Sequence, residues 1–368
     1  MSSPSHKDSE IGLPLGEDSA LRVLPGVDGG PRGAALPRGF SARPEAKPEE
    51  IAAALLAGSR SGLSRAITLI ESNAPRHRPL ARELLEILSA TPGRALRIGI
   101  SGVPGAGKST FIEAFGNLLC DEGHKVAVLA VDPSSTRSRG SILGDKTRME
   151  TLSRREECFI RPSPTSGALG GVTRKTRETI LACEAAGCDV ILVETVGVGQ
   201  SEIAVHSMVD IFVLVLIAGA GDEIQGMKKG IVEIADLLVV NKADGSNRPS
   251  ALATRAQFEQ VMHFLTPGTA LWTPPVLAAS SIERTGVPEV WQAIRTFEDI
   301  MKSHGAFTAR RREQAVEWWR SLVDQEWRSR LFANTAIAEK ARLLEEEVIE
   351  ERLLPSLAAE RLLEGLKI

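Results

Sequence analysis

Gly102-Val103-Pro104-Gly105-Ala106-Gly107-Lys108-Ser109 satisfies the pattern G-x-x-x-x-G-K-[ST] in full. Glycines at these places let backbone N–H groups turn in on a phosphate chain with no Cβ in the way. Lys108 offers a point charge to β- and γ-phosphates, and the Ser109 hydroxyl offers an oxygen to Mg²⁺. Ile98 and Ile100 lead in as a strand. Phe111 to Leu119 leads out as a helix whose amino end would face an anion. The stretch predicts a nucleoside-phosphate site built from Gly102, Gly105, Ala106, Gly107, Lys108, Ser109 and Thr110.

Two later stretches extend that chemistry. The apolar run Val190-Ile191-Leu192-Val193 ends in Glu194, with Gly197 three residues on. An acid at a strand end followed by glycine fits a magnesium-side carboxylate combined with a γ-phosphate-sensing turn. Val198 stands where a water-positioning glutamine would serve, so intrinsic hydrolysis is expected to be slow unless Gln200 or a partner orients the water. Leu237-Leu238-Val239-Val240 then runs into Asn241-Lys242-Ala243-Asp244. A carboxylate at Asp244 can accept hydrogen bonds from guanine N1–H and the exocyclic amine. Adenine has neither donor on that edge and would leave the carboxylate unpaired. The Lys242 stem can lie along the base while Asn241 ties the loop together, and Ser280-Ser281 can meet guanine O6 through a backbone N–H. The base is read as guanine.

Three weaker signals lie between. Asp132 closes the strand Val126–Val131, where an acid can reach Mg²⁺ or its waters. The loop from Thr136 to Arg148 is rich in Ser, Gly and Arg, as are segments that order around a γ-phosphate. Within it Asp145, taken alone, fits a helix N-cap better than a metal ligand. The segment from Ala218 to Gly230 gathers glycines around Asp222, Glu223, Lys228 and Lys229. It reads as a movable loop beside the nucleotide or as a solvated turn, and its own composition favours the turn.

The elements that must position these residues follow from apolar patterning. Strands are expected at Ile98–Ile100, Val126–Val131, Val190–Val193, Ile211–Ile217, Leu237–Val240 and Val276–Ala278, alternating with helical stretches. Near-continuous β-branched runs suit strands buried on both faces. The fold class is therefore α/β, a doubly wound, mostly parallel sheet over residues 94–304, with ligands at the carboxyl ends of its strands. Residues 49–93 read as a small helical cap, with Leu80, Leu84, Leu85 and Leu88 on one face and Ile67 and Ile70 in a preceding helix. Residues 1–48 are Pro- and Gly-rich without hydrophobic period, a composition typical of disordered segments. Residues 305–368 turn to charged helix in which Ala315, Trp319, Leu322 and then Ile337, Ala341, Leu344, Val348 recur at three- and four-residue steps. Such a stripe needs burial, either on its own domain or against a second copy. Trp318, Trp319 and Trp327 fit either role.

Composition narrows the class further. A net charge of −3 argues against a nucleic-acid surface as the main business. No apolar run approaches a membrane span, and the first residues show neither an apolar secretory core nor the acid-poor character of a mitochondrial leader. Cys120, Cys158, Cys183 and Cys188 form no C-x-x-C pair, so a zinc or disulfide framework is not expected and a reducing cytoplasmic setting is.

Read together, G-V-P-G-A-G-K-S-T, V-D-P-S-S, G-D-K-T-R-M, G-A-L-G-G-V, E-T-V-G-V-G-Q-S-E, A-G-A-G-D-E-I-Q-G-M-K-K-G and N-K-A-D occur in an order and wording similar to the MeaB/ArgK/MMAA family of SIMIBI-class GTPases. The resemblance runs from about Glu49 to the C-terminus. It implies a GTP/GDP site with Mg²⁺ at Ser109, Asp132, Asp145 and Glu194. It also implies switch loops holding Arg148 and Gly197, and an additional switch in which Asp222 and Lys228 couple nucleotide state to a client. Lys108, Glu194, Gly197, Asp222 and Lys228 would carry catalysis and its control. The helices after Gly305 would be a homodimerisation arm. The implied client is an adenosylcobalamin-dependent acyl-CoA mutase, above all methylmalonyl-CoA mutase, which the chain would load with cofactor and protect or reactivate. Val103 departs from the additional P-loop lysine of some SIMIBI members, so no active site completed through such a lysine is expected. Two other readings are a metallochaperone GTPase of the hydrogenase or urease maturation type, which calls for a Cys/His cluster, and a small-molecule kinase, which calls for ATP.

Overall fold

The computed structural model describes residues 47–91, 93–131, 149–162, 169–195, 201–218, 229–265, 268–269 and 271–364. Asp132, Asp145, Arg148, Gly197, Val198, Gln200, Asp222 and Lys228, together with the tail up to residue 46, lie outside them.

Three helices, α1 (Pro48–Leu56), α2 (Arg60–Glu71) and α3 (His77–Leu88), precede strand β1 (Leu96–Gly102). Then come α4 (Lys108–Asp121), β2 (Val126–Val131), β3 (Cys158–Arg161), α5 (Leu169–Ala185), β4 (Val190–Thr195), α6 (Ser201–His206) and β5 (Ile211–Ile217). The chain continues through α7 (Lys229–Glu233), β6 (Leu237–Asn241), α8 (Arg248–Phe264), β7 (Val276–Ala278) and α9 (Val287–Ser303). It ends in α10 (Ala306–Ala333), α11 (Thr335–Ile349) and α12 (Pro355–Leu363). No helix among the described residues is long and apolar enough to cross a membrane.

The seven strands form one sheet in the order β3-β2-β4-β1-β5-β6-β7. Every pairing between them is parallel, a firmer result than the mostly parallel sheet expected. Beyond the six expected strands, β3 adds an edge. Alternation along the strands sorts their side chains into two cores. Val126, Val128, Val190, Leu192, Val213 and Val239 pack with Phe111, Phe115 and Trp291 from α4 and α9. Leu129, Ile191, Val193, Phe212 and Leu214 pack on the opposite face, with Cys183, Val205 and Phe258 of α5, α6 and α8. Both faces are covered, as a parallel sheet requires. Complete burial of Phe111 and Phe115 is worth about 1.5–3 kcal/mol each relative to exposure.

The cap joins the second of these cores through Leu55, Leu63, Ile67, Ile70, Leu84 and Leu88; Leu80 and Leu85 are only half-buried. Gly62 allows α1 and α2 to approach closely, because a Cβ there would lie 2.7 Å from the Leu55 nitrogen. The cap is also tied to the sheet by charge. Arg161 at the end of β3 pairs with Glu71 at the end of α2, and the Lys175 ammonium donates to the Glu71 carbonyl and Asn73 Oδ1.

In α11 the expected stripe is the covered face, with Ala341 buried and Ile337, Leu344 and Val348 half-buried, whereas α10 departs from it. Ala315 and Trp319 face outward, and the buried residue of α10 is polar, Gln314. Its amide donates to the Val209 carbonyl at 2.8 Å and to the His206 carbonyl at 3.3 Å. One turn earlier, Arg311 donates to both oxygens of Asp210 at 2.6 and 2.7 Å, and Arg310 to Asp236 Oδ2 at 3.2 Å. Both acids are about 2 % exposed or less. Each also accepts a backbone N–H at 2.8 Å, from Arg97 for Asp210 and from Phe212 for Asp236. Breaking such a buried pair by removing one member costs about 3–5 kcal/mol. Long-range polar anchors therefore hold the base of α10, together with Ala306 and Phe307 packed against the first core.

Candidate nucleotide site

The residues singled out as chemical meet where β1, β4 and β6 end. β1 is central, with β4 on one side and β5 on the other, and Ile100 lies level with Glu194. The turn after β1 and the acid ending β4 are thereby neighbours. Gly102 is the tight point of that turn. Its φ is +150°, and a Cβ would lie 2.1 Å from the Val215 carbonyl oxygen, so no side chain fits. Gly107, at φ +83°, caps the amino end of α4, and a Cβ there would lie 2.8 Å from Asn241 Nδ2. Gly105 has φ +81° with open space around it, Ala106 is buried, and Thr110 is exposed on the first turn of α4.

Ser109 Oγ donates to Glu194 Oε1 at 3.0 Å. A hydroxyl and a nearly buried carboxylate converging at a helix amino end are hard oxygen donors of the type Mg²⁺ selects, and in that respect the site fits the ion. The Lys108 ammonium donates to the carbonyls of Gly102 at 2.8 Å and Val103 at 3.2 Å, arching over the loop it belongs to. Burial lowers its pKa below the ordinary lysine value, opposed by the charges of Glu194 and Glu202. An ammonium desolvated in this way gains more from an incoming phosphate than one already in water.

The base end is assembled from β6 and the turn after β7. Asn241 is 1 % exposed, and its amide donates to the Ala106 carbonyl at 2.9 Å, joining this loop to the phosphate loop. Ser281 Oγ donates in turn to Asn241 Oδ1 at 2.7 Å. Lys242 adopts φ +58°, uncommon for a residue with a side chain, and Asn247 Nδ2 supports the turn by donating to its carbonyl at 2.7 Å. Ser280 Oγ donates to Asp244 Oδ2 at 2.6 Å. That bond orients the carboxylate while its other oxygen keeps its lone pairs for a ligand. The backbone completes the link, with the Ala243 N–H donating to the Ala279 carbonyl at 3.0 Å.

The structure thus brings together Gly102, Gly105, Ala106, Gly107, Lys108, Ser109, Thr110 and Glu194 at one end, and Asn241, Lys242, Asp244, Ser280 and Ser281 at the other. Sequence reasoning did not single out Asn247, nor Ser101 and Thr195, whose buried hydroxyls share a hydrogen bond at 2.9 Å between β1 and β4. A hydroxyl as the last inward residue of each of two apolar strands was the available signal.

The family described as methylmalonyl Co-A mutase-associated GTPase MeaB matches residues 63–336. GTPase ArgK of Escherichia coli is 51 % identical over 277 residues, covering 75 % of this chain and 84 % of that protein. The mouse mitochondrial methylmalonic aciduria type A homolog is 46 % identical over 323 residues, covering 85 % and 78 %. A solved structure described as a LAO/AO transport system kinase superposes with a TM-score of 0.72 at 41 % identity, covering 89 % of this chain and all of that one. With the match running from within α2 through the sheet to the end of α10, this chain belongs to the MeaB family of methylmalonyl-CoA mutase-associated GTPases.

Proposed function

We propose that the chain is a GTP-hydrolysing chaperone that gates cofactor loading of an adenosylcobalamin-dependent acyl-CoA mutase, foremost methylmalonyl-CoA mutase, and protects or reactivates it. The observation that carries the reading is the Ser280–Asp244 pair, an oriented carboxylate placed to read guanine, tied through Asn241 to a phosphate loop. In this reading Lys108 and the backbone of Gly102–Thr110 hold the β- and γ-phosphates, and Ser109 and Glu194 hold Mg²⁺ with Asp132 and Asp145. The ion, when bound, neutralises charge developing on the phosphate oxygens. Gly197 senses the γ-phosphate, and Asp222 and Lys228 carry its state to the client. Because Val198 replaces a water-positioning residue, turnover alone is slow and the client supplies the missing orientation.

The test is GTP hydrolysis by the purified chain with and without methylmalonyl-CoA mutase. The expected result is a slow basal rate that rises about tenfold or more with the mutase, within the range that ordering a catalytic group contributes. A rate that the mutase leaves unchanged, with no complex on gel filtration in GTP or GDP, refutes the client assignment.

We further infer a homodimer through the C-terminal helices. Val316, Trp319, Val323 and Trp327 are 46, 62, 46 and 49 % exposed, and their spacing places them along one face of α10. An exposed apolar line of this length is what a second helix covers. Trp319→Asp combined with Trp327→Asp is expected to halve the mass seen in sedimentation equilibrium while leaving GTP binding within about twofold, since neither residue touches the site. A mass unchanged by the substitutions would dismiss the arm as the interface.

A further inference from the structure

Cys183 and Cys188 are separated by five positions, and the end of α5 folds one onto the other. The Cys188 N–H donates to the Cys183 carbonyl at 3.1 Å and the Gly187 N–H to the Glu184 carbonyl at 3.0 Å, with Gly187 at φ +86°. This nested pair of bonds is the helix stop in which the side chains at the two outer positions meet. Here both are thiols, and they share a hydrogen bond. A backbone bond between the same two residues holds their main chains together, the closeness a disulfide between them requires. Their surroundings differ. Cys183 is fully buried, whereas Cys188 is partly exposed between Gly187 and Asp189, both at the surface.

We propose that Cys183 and Cys188 are an oxidation site, with Cys188 attacked first by a hydroperoxide and Cys183 closing a disulfide across the turn. The Cys188 thiolate attacks the outer peroxide oxygen, and the O–O bond breaks. The departing alkoxide takes a proton to become an alcohol, leaving a sulfenic acid. The Cys183 sulfur then attacks the Cys188 sulfur, the S–O bond breaks, and hydroxide leaves with the Cys183 proton as water. Two thiols and one hydroperoxide give one disulfide, one alcohol and one water.

The electrostatics agree with this order. The Cys183 thiol, donating its hydrogen bond, lowers the Cys188 pKa, and the Lys125 ammonium adds to that; burial and the carboxylates of Asp189 and Glu184 oppose it. Cys183 is correspondingly raised. The other two cysteines are built to stay reduced. Burial pushes the Cys120 thiol up to about 11 and Cys158 further still, and both are buried. All four positions belong to the amino-end edge of the sheet or to helix ends beside it, away from Glu194 at the far end of β4.

The intact chain is treated with equimolar hydrogen peroxide, quenched with catalase, alkylated with N-ethylmaleimide and mapped by mass spectrometry. Both thiols fall in one tryptic peptide, beginning at Glu178, so an intramolecular disulfide appears as that peptide two hydrogens lighter and unalkylated. Cys188 is expected to lose alkylation about tenfold or more faster than Cys120 and Cys158, and dithiothreitol to restore it. In Cys183→Ser the disulfide is absent and dimedone traps a sulfenic acid at Cys188; in Cys188→Ser, Cys183 stays reduced on the same timescale. Equal oxidation rates at all four cysteines of the unmodified sequence, or disulfides only between chains, overturn the proposal whether or not either variant folds.

Discussion

Asp244→Asn weakens GTP binding by about 100- to 1,000-fold and creates affinity for xanthosine triphosphate. The carboxylate is held by Ser280 at 2.6 Å and can take guanine N1–H and the exocyclic amine on its remaining lone pairs. Each hydrogen bond to a charged acceptor is worth about 1.5–3 kcal/mol, and an amide nitrogen facing the exocyclic amine sets donor against donor. The combined loss of about 3–4 kcal/mol corresponds to the stated range. Xanthine carries a carbonyl where guanine carries the amine, so the asparagine NH₂ finds an acceptor. Ser280 can still donate to the asparagine oxygen, so the loop is not expected to collapse. Competition of both nucleotides against a fluorescent analogue reads the two affinities. A GTP affinity within twofold of the parent, with no gain for the xanthine nucleotide, excludes Asp244 as the base reader.

Lys108→Ala lowers the hydrolysis rate by about a thousandfold, near the upper end of what one preorganised electrostatic donor contributes. Lys108 is desolvated and lies against the loop, bonded to the Gly102 and Val103 carbonyls. A phosphate chain in the loop offers it far stronger acceptors than those carbonyls, so its charge is already in place when the nucleotide arrives. Single-turnover hydrolysis at saturating GTP separates this loss from weaker binding. Thermal unfolding of the nucleotide-free protein checks the fold, which keeps its Phe111 and Phe115 core whatever stands at position 108. A rate within tenfold of the parent contradicts the role.

The chemistry was more legible in the sequence than the scaffold was. Lys108, Ser109, Glu194 and Asp244 stand at strand ends with fixed spacings, and in a parallel sheet strand ends meet by topology, so linear order sufficed to bring them together. β3 was missed because four residues, Cys158-Phe159-Ile160-Arg161, bury only alternate positions at an edge and are flanked by charge. The anchors at the base of α10 were not legible for a different reason. Periodicity registers apolar burial, whereas Arg310, Arg311 and Gln314 are held by acids and carbonyls more than seventy positions away. The contact between Cys183 and Cys188 was hidden likewise: helical spacing sets residues five apart on different faces, and only the left-handed Gly187 turns them together.

The polar clamp at the base of α10 has a mechanical consequence. Arg310 and Gln314 grip His206 and its carbonyl at the end of α6, a helix that starts at Ser201, four residues after Gly197. α10 is 28 residues long, which at 1.5 Å per residue makes a rod of about 42 Å. A tilt of about 10° in α6, passed rigidly through the clamp, would sweep the far end of that rod through roughly 7 Å. Any rotation that reached the clamp would thus be multiplied along the length of α10, whose far end lies well clear of the anchored base.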